Sequence, residues 1–212
     1  MMTIASILML LFSPLLFNID TSSLDEDITR DSSARNVANS PLWAAQVGGS
    51  SSTDSIQGIA MDSNGRTYVC GYFYGTAYFG TTTLTSFGSN DIFVGRLTNG
   101  AWDWVHKAGG SSSDQCQDID VDDGGNVSIT GNFYNTASFG SSSLSSSGNN
   151  DIFVARLDSS GNWLWATKAG SSSSDYGYGV AVDNHGKTYI TGTYYSTAYF
   201  GASTLSSHSY DE

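Results

Sequence analysis

The sequence predicts an all-β fold assembled from repeated units, and three observations carry that prediction. Trp43, Trp104 and Trp165 recur at a constant spacing of about 60 residues, and the stretches behind them align along their length, as repeated supersecondary units do. Within each stretch, short runs alternate apolar with small or polar residues, the two-residue period of a half-buried strand. The 212 residues include 24 Gly and only 2 Pro, which suits many short strands joined by turns, and no stretch after residue 17 carries a helical period. A unit of this size is too small to bury a core comfortably alone, so its stability is expected from stacking on its neighbours.

In chain order, residues 4–17 (IASILMLLFSPLLF) form an apolar run too short for a comfortable membrane span and of the right length for a secretory core segment. Residues 1–17 are therefore read as a signal peptide or anchor. No Lys or Arg precedes the run and no A-x-A site follows it, although Thr21 and Ser23 offer small residues. An uncleaved anchor or a misassigned start is the alternative. Residues 18–40 are polar, acidic and aperiodic, a disordered linker. Residues 41–212 hold the repeats, divided as 41–103, 104–164 and 165–212, the last incomplete.

Each repeat carries four strand-like runs. The first is SIQGIAMD at 55–62, matched by QCQDIDVD at 115–122 and YGYGVAVD at 176–183. A turn follows that closes on Gly65, Gly125 or Gly186, where positive φ costs nothing and a tight hairpin can close. The second run, 66–74 and its counterparts, repeats one face as Val69, Gly71, Phe73; Ile129, Gly131, Phe133; and Ile190, Gly192, Tyr194. A glycine held between an aliphatic and an aromatic residue predicts another backbone packed close against it. The opposite face varies between repeats and reads as the less constrained side. The Ser/Thr-rich excursion that comes next is expected to be an ordered surface hairpin, because Phe79, Phe139, Phe200 and Leu84, Leu144, Leu205 return at fixed offsets. The third run is DIFVGRL at 91–97 and DIFVARL at 151–157, with Asp91–Arg96 and Asp151–Arg156 as candidate local pairs. The fourth sets Trp102 with Trp104, and Trp163 with Trp165, on one strand face as large packing units.

Charge narrows the partners. There are 8 Lys plus Arg against 20 Asp plus Glu, a formal charge of −12. Such a surface repels phosphate backbones and anionic lipid, so nucleic acid is excluded and membrane contact is left to the N-terminal segment. The acidity itself reads as solubility.

Four antiparallel strands per unit make a propeller blade. The succession GG-x(n)-D, GIAMDSNGRTYVCG, FG-x(3)-L, GSNDIFVGRL and NG-x-W-x-W resembles the SBBP beta-propeller repeat, a family of secreted and cell-surface prokaryotic proteins. The resemblance covers residues 41–212. It implies a rigid interaction platform and brings no shared catalytic residues. A closed propeller takes roughly four to eight blades. The third unit stops at Tyr210, Asp211 and Glu212, where a DIFV strand would follow. A partial propeller is therefore expected: about three four-stranded antiparallel blades in an open arc, the last truncated. Either the sequence is partial or several chains assemble into one ring. Both leave exposed sheet edges able to self-associate.

Candidate chemistry is sparse. Asp118, Asp120 and Asp122 alternate along one strand, with carboxylates about 6.6 Å apart, and are a candidate calcium site. The EF-hand pattern fails, since Asp123 and Ile129 stand where Gly and Glu are required; a solvated strand facing the channel or rim is the other reading. No cofactor beyond calcium is expected. His106, His185 and His208 fall in different contexts without zinc spacing, and no serine sits in a G-x-S-x-G elbow. Cys70 and Cys116 occupy non-equivalent repeat positions, Cys70 aligning with Thr130 and Thr191 and Cys116 with Ile56 and Gly177. They are read as two buried thiols, with a bridge as the alternative. Tyr68, Tyr72, Tyr74, Tyr189 and Tyr195 either stack on sugar rings or pack between blades.

The function these readings imply is a non-catalytic exported scaffold that binds protein or surface polysaccharide. Two alternatives stand beside it: part of a carbohydrate-active or other enzyme whose site lies elsewhere, and a calcium-dependent adhesin or lectin-like module.

Overall fold

The structure, a computed structural model, describes residues 6–10, 43–49 and 53–207. The acidic linker, the rest of the apolar leader and His208 lie outside the described residues. Among those described, every regular element is a strand. They are β1 (Ser6–Leu10), β2 (Trp43–Gly49), β3 (Ser55–Met61), β4 (Thr67–Phe79), β5 (Thr82–Thr98), β6 (Ala101–Gly110) and β7 (Gln115–Val121). The chain continues with β8 (Val127–Phe139), β9 (Ser142–Leu157), β10 (Trp163–Gly170), β11 (Tyr176–Val182), β12 (Thr188–Thr193), β13 (Thr197–Phe200) and β14 (Ser203–Ser206).

Strands β3 to β6 pair antiparallel in sequence order as one unit, and β7 to β10 repeat that unit. The hairpin β11–β12 opens a third. The turns behave as their glycines predict: φ is 76° at Gly65, 78° at Gly125 and 79° at Gly186. An aspartate before each turn accepts backbone N–H bonds from inside it, Asp62 from Asn64 and Arg66 and Asp183 from His185 and Lys187. Part of the chain's acidity is thus spent on capping its own backbone.

The Ser/Thr-rich excursion forms the ordered hairpin expected of it. It is the outer half of β4 and β5, which run on past a register shift between Tyr74 and Thr76 and pair again from Thr76↔Thr85 to Phe79↔Thr82. This outer half has a structural task. Ala77–Phe79 pairs with Val47–Gly49 of β2, Ala137 and Ser138 pair with the end of β6, and Tyr199 and Phe200 with the end of β10. Each fourth strand therefore leaves its own unit and ends hydrogen-bonded to the next, linking β1 to β10 with β13 and β14 into one sheet that does not close on itself, while the hairpin β11–β12 pairs separately. Phe79 and Phe139 anchor the tips as expected. Both are fully buried, Phe79 against Phe73, Phe93 and Trp102, and Phe139 against Phe153 and Trp163.

The invariant glycine of the second run faces a backbone, as predicted. A Cβ on Gly71 would lie 2.0 Å from the Ser55 carbonyl oxygen, and one on Gly131 2.0 Å from that of Gln115. The cause is a bulge in the first strand, which carries an extra residue between Ile56 and Gly58 and again between Cys116 and Asp118.

The core lies between sheets. One cluster sets Val69, Phe73, Phe93 and Leu97 of unit one against Ala45 and Val47 of β2. The other sets the opposite side of unit one (Tyr68, Cys70, Ile92, Val94) against Ile119, Ile129, Phe133, Phe153 and Leu157 of unit two. This corrects the expectation that the variable face of the second run is the less constrained. Tyr68, Cys70, Ser128 and Thr130 are all fully buried on it. The face varies because each junction is solved by its own pair of side chains.

The cysteines show such a private solution. Cys70 on β4 and Cys116 on β7 are joined by a disulfide, not held as two thiols. Non-equivalent repeat positions meet because the second strand of one unit packs on the first strand of the next. The local ion pairs are corrected too. Five residues apart on a regular strand, Asp91 and Arg96 point to opposite faces. Arg96 pairs instead with Asp103 at 2.7 Å, and Arg156 with Asp122.

At the N-terminal end, β1 pairs antiparallel with β2, Leu10 opposite Trp43 and Ser6 opposite Val47. β5 holds the same place beside β6, with Arg96 opposite Trp104 and Ile92 opposite Ala108.

Candidate ligand cleft between neighbouring units

Every junction is built around one buried aspartate. After the fourth strand the chain turns through Gly48–Gly49, Gly109–Gly110 or Gly170–Ser171, and a few residues later reaches Asp54, Asp114 or Asp175. The carboxylate accepts the N–H of Gly49 (2.8 Å), Gly110 (2.7 Å) or Ser171 (2.6 Å). It also accepts the N–H of Tyr74 (3.0 Å), Tyr134 (3.1 Å) or Tyr195 (2.9 Å), the residue before the break in the long strand. One side chain thus ties the connecting loop to the base of a tyrosine whose ring stays outside.

A second buried aspartate, from the third run, stands beside it at the first junction. A Cβ placed on Gly109 would lie 2.9 Å from Asp114 Oδ2 and 3.0 Å from Asp91 Oδ1, so the two carboxyls crowd one small volume. Burial pushes Asp91 up to about 6, against the Phe87 N–H and Lys107. Burial pushes Asp114 up to about 7, against the N–H groups of Tyr134 and Gly110, and the Asp91 charge adds to the rise.

Where unit two meets unit three lies a cleft of about 400 Å³. Unit two lines it with Gln115, Asn132, Tyr134, Asn149 and Asn150 together with Ser113, and Ser174 and Tyr176 close it from the side of unit three. Amides and hydroxyls that both donate and accept dominate the lining, with two phenol rings. Tyr134 is 39% exposed. The amides are partly preorganised: Asn132 Nδ2 donates to Asn150 Oδ1 at 3.5 Å, and the backbone N–H of Asn149 donates across the junction to Ser173 at 3.1 Å. One unit earlier the strand register puts Tyr72 in the place of Asn132, both opposite the isoleucine of the DIFV run. Nothing in the repeat pattern singles these residues out, since each is an ordinary polar side chain on its own strand. Only the packing of two units brings them together.

The aspartates chosen from sequence go elsewhere. Asp118 and Asp120 face the third unit, where their Oδ2 atoms accept the backbone N–H of Val180 (2.8 Å) and Val182 (2.7 Å). Asp122 is held by Arg156 and by Asn126, whose backbone N–H lies 2.9 Å from Oδ1. The three carboxylates serve separate partners, and among the described residues no group of three or more His, Cys, Asp or Glu is placed to hold a metal ion. The contrast with unit one explains their presence there. A Cβ on Gly58, the equivalent of Asp118, would lie 2.9 Å from the Asp118 Cα, so β7 lies directly on β3. Between β7 and β11 the two carboxylates bridge the gap.

Of the tyrosines, Tyr68 packs between units, its hydroxyl donating to Asp62 Oδ2 at 3.1 Å and its ring edge-on to Trp104. Tyr74, Tyr189 and Tyr195 are exposed. His106 stacks on Trp104 within unit one, where burial lowers its pKa, and His185 sits in a turn.

Comparison with known proteins agrees with this architecture. Over 122 residues the chain is 25% identical to the "Uncharacterized WD repeat-containing protein L264" of Acanthamoeba polyphaga mimivirus, a match that covers 49% of this chain and 9% of that protein. The chain therefore spans under a tenth of the length of this relative. The profile of the SBBP beta-propeller repeat matches residues 42–72, from β2 into β4. Residues 42–72 thus match the same repeat that the motifs of the chain resemble.

Proposed function

We propose that this chain is an exported, non-catalytic binding scaffold whose units are propeller blades, about three in an open arc with the last incomplete. Its ligand is a neutral surface polysaccharide seated where two blades meet. The observation that carries the reading is the chemistry of the cleft. Sugar hydroxyls need partners that donate and accept, which amides and hydroxyls supply, and sugar rings need a flat apolar face, which Tyr134 and Tyr176 supply. A formal charge of −12 disfavours anionic polymers over neutral ones. Export is supported by the apolar run at residues 4–17 and by the Cys70–Cys116 disulfide, a form that thiol pairs keep in oxidising compartments.

A glycan array followed by calorimetry tests the reading. Neutral oligosaccharides are expected to bind, and Tyr134→Ala is expected to weaken them about tenfold, the loss of about 1.4 kcal/mol of stacking. Silence across neutral glycans, or binding indifferent to Tyr134→Ala and Asn150→Ala, would overturn it.

A further inference from the structure

Resting on the reading of the cleft as a glycan site, we infer that the first junction is a second site of the same kind, continuous with the cleft, and that the ligand is a linear, neutral polysaccharide running across both. Three residues that line the cleft between units two and three, Ser113, Asn150 and Ser174, recur one unit earlier as Thr53, Asn90 and Ser113. Those three also meet. Asn90 accepts from Thr53 Oγ1 at 3.3 Å and donates through Nδ2 to Ser113 Oγ at 3.4 Å, so its amide spans the gap between unit one and unit two. Ser113 therefore serves both junctions, bonded to Asn90 at the first and lining the cleft at the second. Two sites that share a residue are neighbours on one surface.

Aromatic rings recur with the polar groups. Tyr74 is to the first junction what Tyr134 is to the second: each lies opposite an asparagine of the next strand, Asn90 or Asn150, and each has its backbone N–H held by a buried carboxylate, Asp54 or Asp114. Tyr74 is 49% exposed, so its ring is available to a ligand. Tyr72 shares its face of β4, two residues away, where the second junction has Asn132. At the second junction the other phenol is Tyr176, from unit three, and its counterpart at the first is Gln115. Each junction thus has two phenol rings and several amides, differently distributed between its two units. The residues that line the cleft carry no charge, which suits neutral sugars. A polymer seated at one junction presents its next sugars to the other at high effective concentration, so affinity rises with chain length. Reaching both takes an extended, unbranched stretch.

Calorimetry on the full chain, with neutral cello-, malto- and manno-oligosaccharides from the disaccharide to the octasaccharide, is the test. In a series that binds, the octasaccharide is expected to bind at least about tenfold tighter than the trisaccharide, with one long chain bound where two short ones were. Tyr74→Ala is expected to remove that gain and to lower the number of short chains bound from two to one. Tyr74→Phe, which keeps the ring, should preserve both. The truncation leaves the backbone bond to Asp54 in place, and an intact Cys70–Cys116 bridge checks that each variant is folded. Affinity independent of length, or a length gain that Tyr74→Ala leaves untouched, would overturn the two-junction track and leave the single cleft standing. No binding by any of these sugars at any length would overturn the cleft reading itself and the track with it.

Discussion

At Gly75, Asn135 and Ser196 the backbone breaks before the outer hairpin through a left-handed residue, with φ of 72°, 63° and 59°. Glycine takes that conformation freely, asparagine tolerates it, and serine is strained in it. Ser196→Gly is therefore expected to raise stability by about 1 kcal/mol, read as a shift in denaturation midpoint. Gly131→Ala should act the other way, costing about 3 kcal/mol, because its Cβ would meet the Gln115 carbonyl oxygen at 2.0 Å and that backbone cannot yield without breaking the bulge. The buried aspartates set a pH dependence at the same scale. Asp91 and Asp114 titrate near 6 and 7 in the fold and near 3.8 in the open chain. Their protonated forms favour folding below pH 3.8, and that contribution is lost as pH rises towards 7. In Asp122 burial raises the pKa, but the Asn126 contacts and Arg156 outweigh it and hold the group below 3.8, so its contribution is present above that pH and lost as pH falls further. Stability measured by denaturation is expected to peak near pH 4 to 5 and to decline towards pH 8. A profile rising steadily from pH 4 to 8 would contradict this assignment.

Between elements, each unit reaches into the next through a few side chains. Arg96 donates through Nη1 to the Ser159 carbonyl in the last turn of unit two, and Arg156 donates through Nη1 to the Gly186 carbonyl (2.8 Å) in the first turn of unit three. The two are not equal in energy. Arg156 and Asp122 are each 8% exposed at the side chain, whereas Arg96 is 17% and Asp103 29% exposed. Arg156→Ala, which removes one partner of an Asp122 carboxylate that Asn126 still holds, is expected to cost about 2 kcal/mol, and Arg96→Ala about 1 kcal/mol. The disulfide closes a stretch of 46 residues and constrains the unfolded chain, so its reduction should cost about 4 kcal/mol. Legibility in the sequence divides along this line. Strands, turns, the crowded Gly71 and the anchoring Phe79 were readable, because each follows from the two-residue period and from repetition within one strand. The excursion was readable as a hairpin, but its Ser/Thr richness hides that the outer halves of β4 and β5 continue the inner ones. The bridge and the cleft were not readable, because each joins residues of different units, and the arginine ion pairs were not, because each joins different strands of one unit.

For the molecule as a whole, stability arises where units meet, and the proposed binding site is placed there too. A single unit buries one side of its sheet only by pressing it against a neighbour, so the sheets are held in a row by a contact of fixed register: Cys70 with Cys116, then Thr130 with Gly177. The candidate cleft lies at the same meeting of units. The most direct measurement is therefore to install the first bridge at the second junction, with Thr130→Cys and Gly177→Cys, and to map disulfides by mass spectrometry after air oxidation. The account predicts a second intramolecular disulfide, 130–177, formed beside an unchanged 70–116 bridge. Free thiols that persist at 130 and 177, or a scrambled set of bridges, would contradict it.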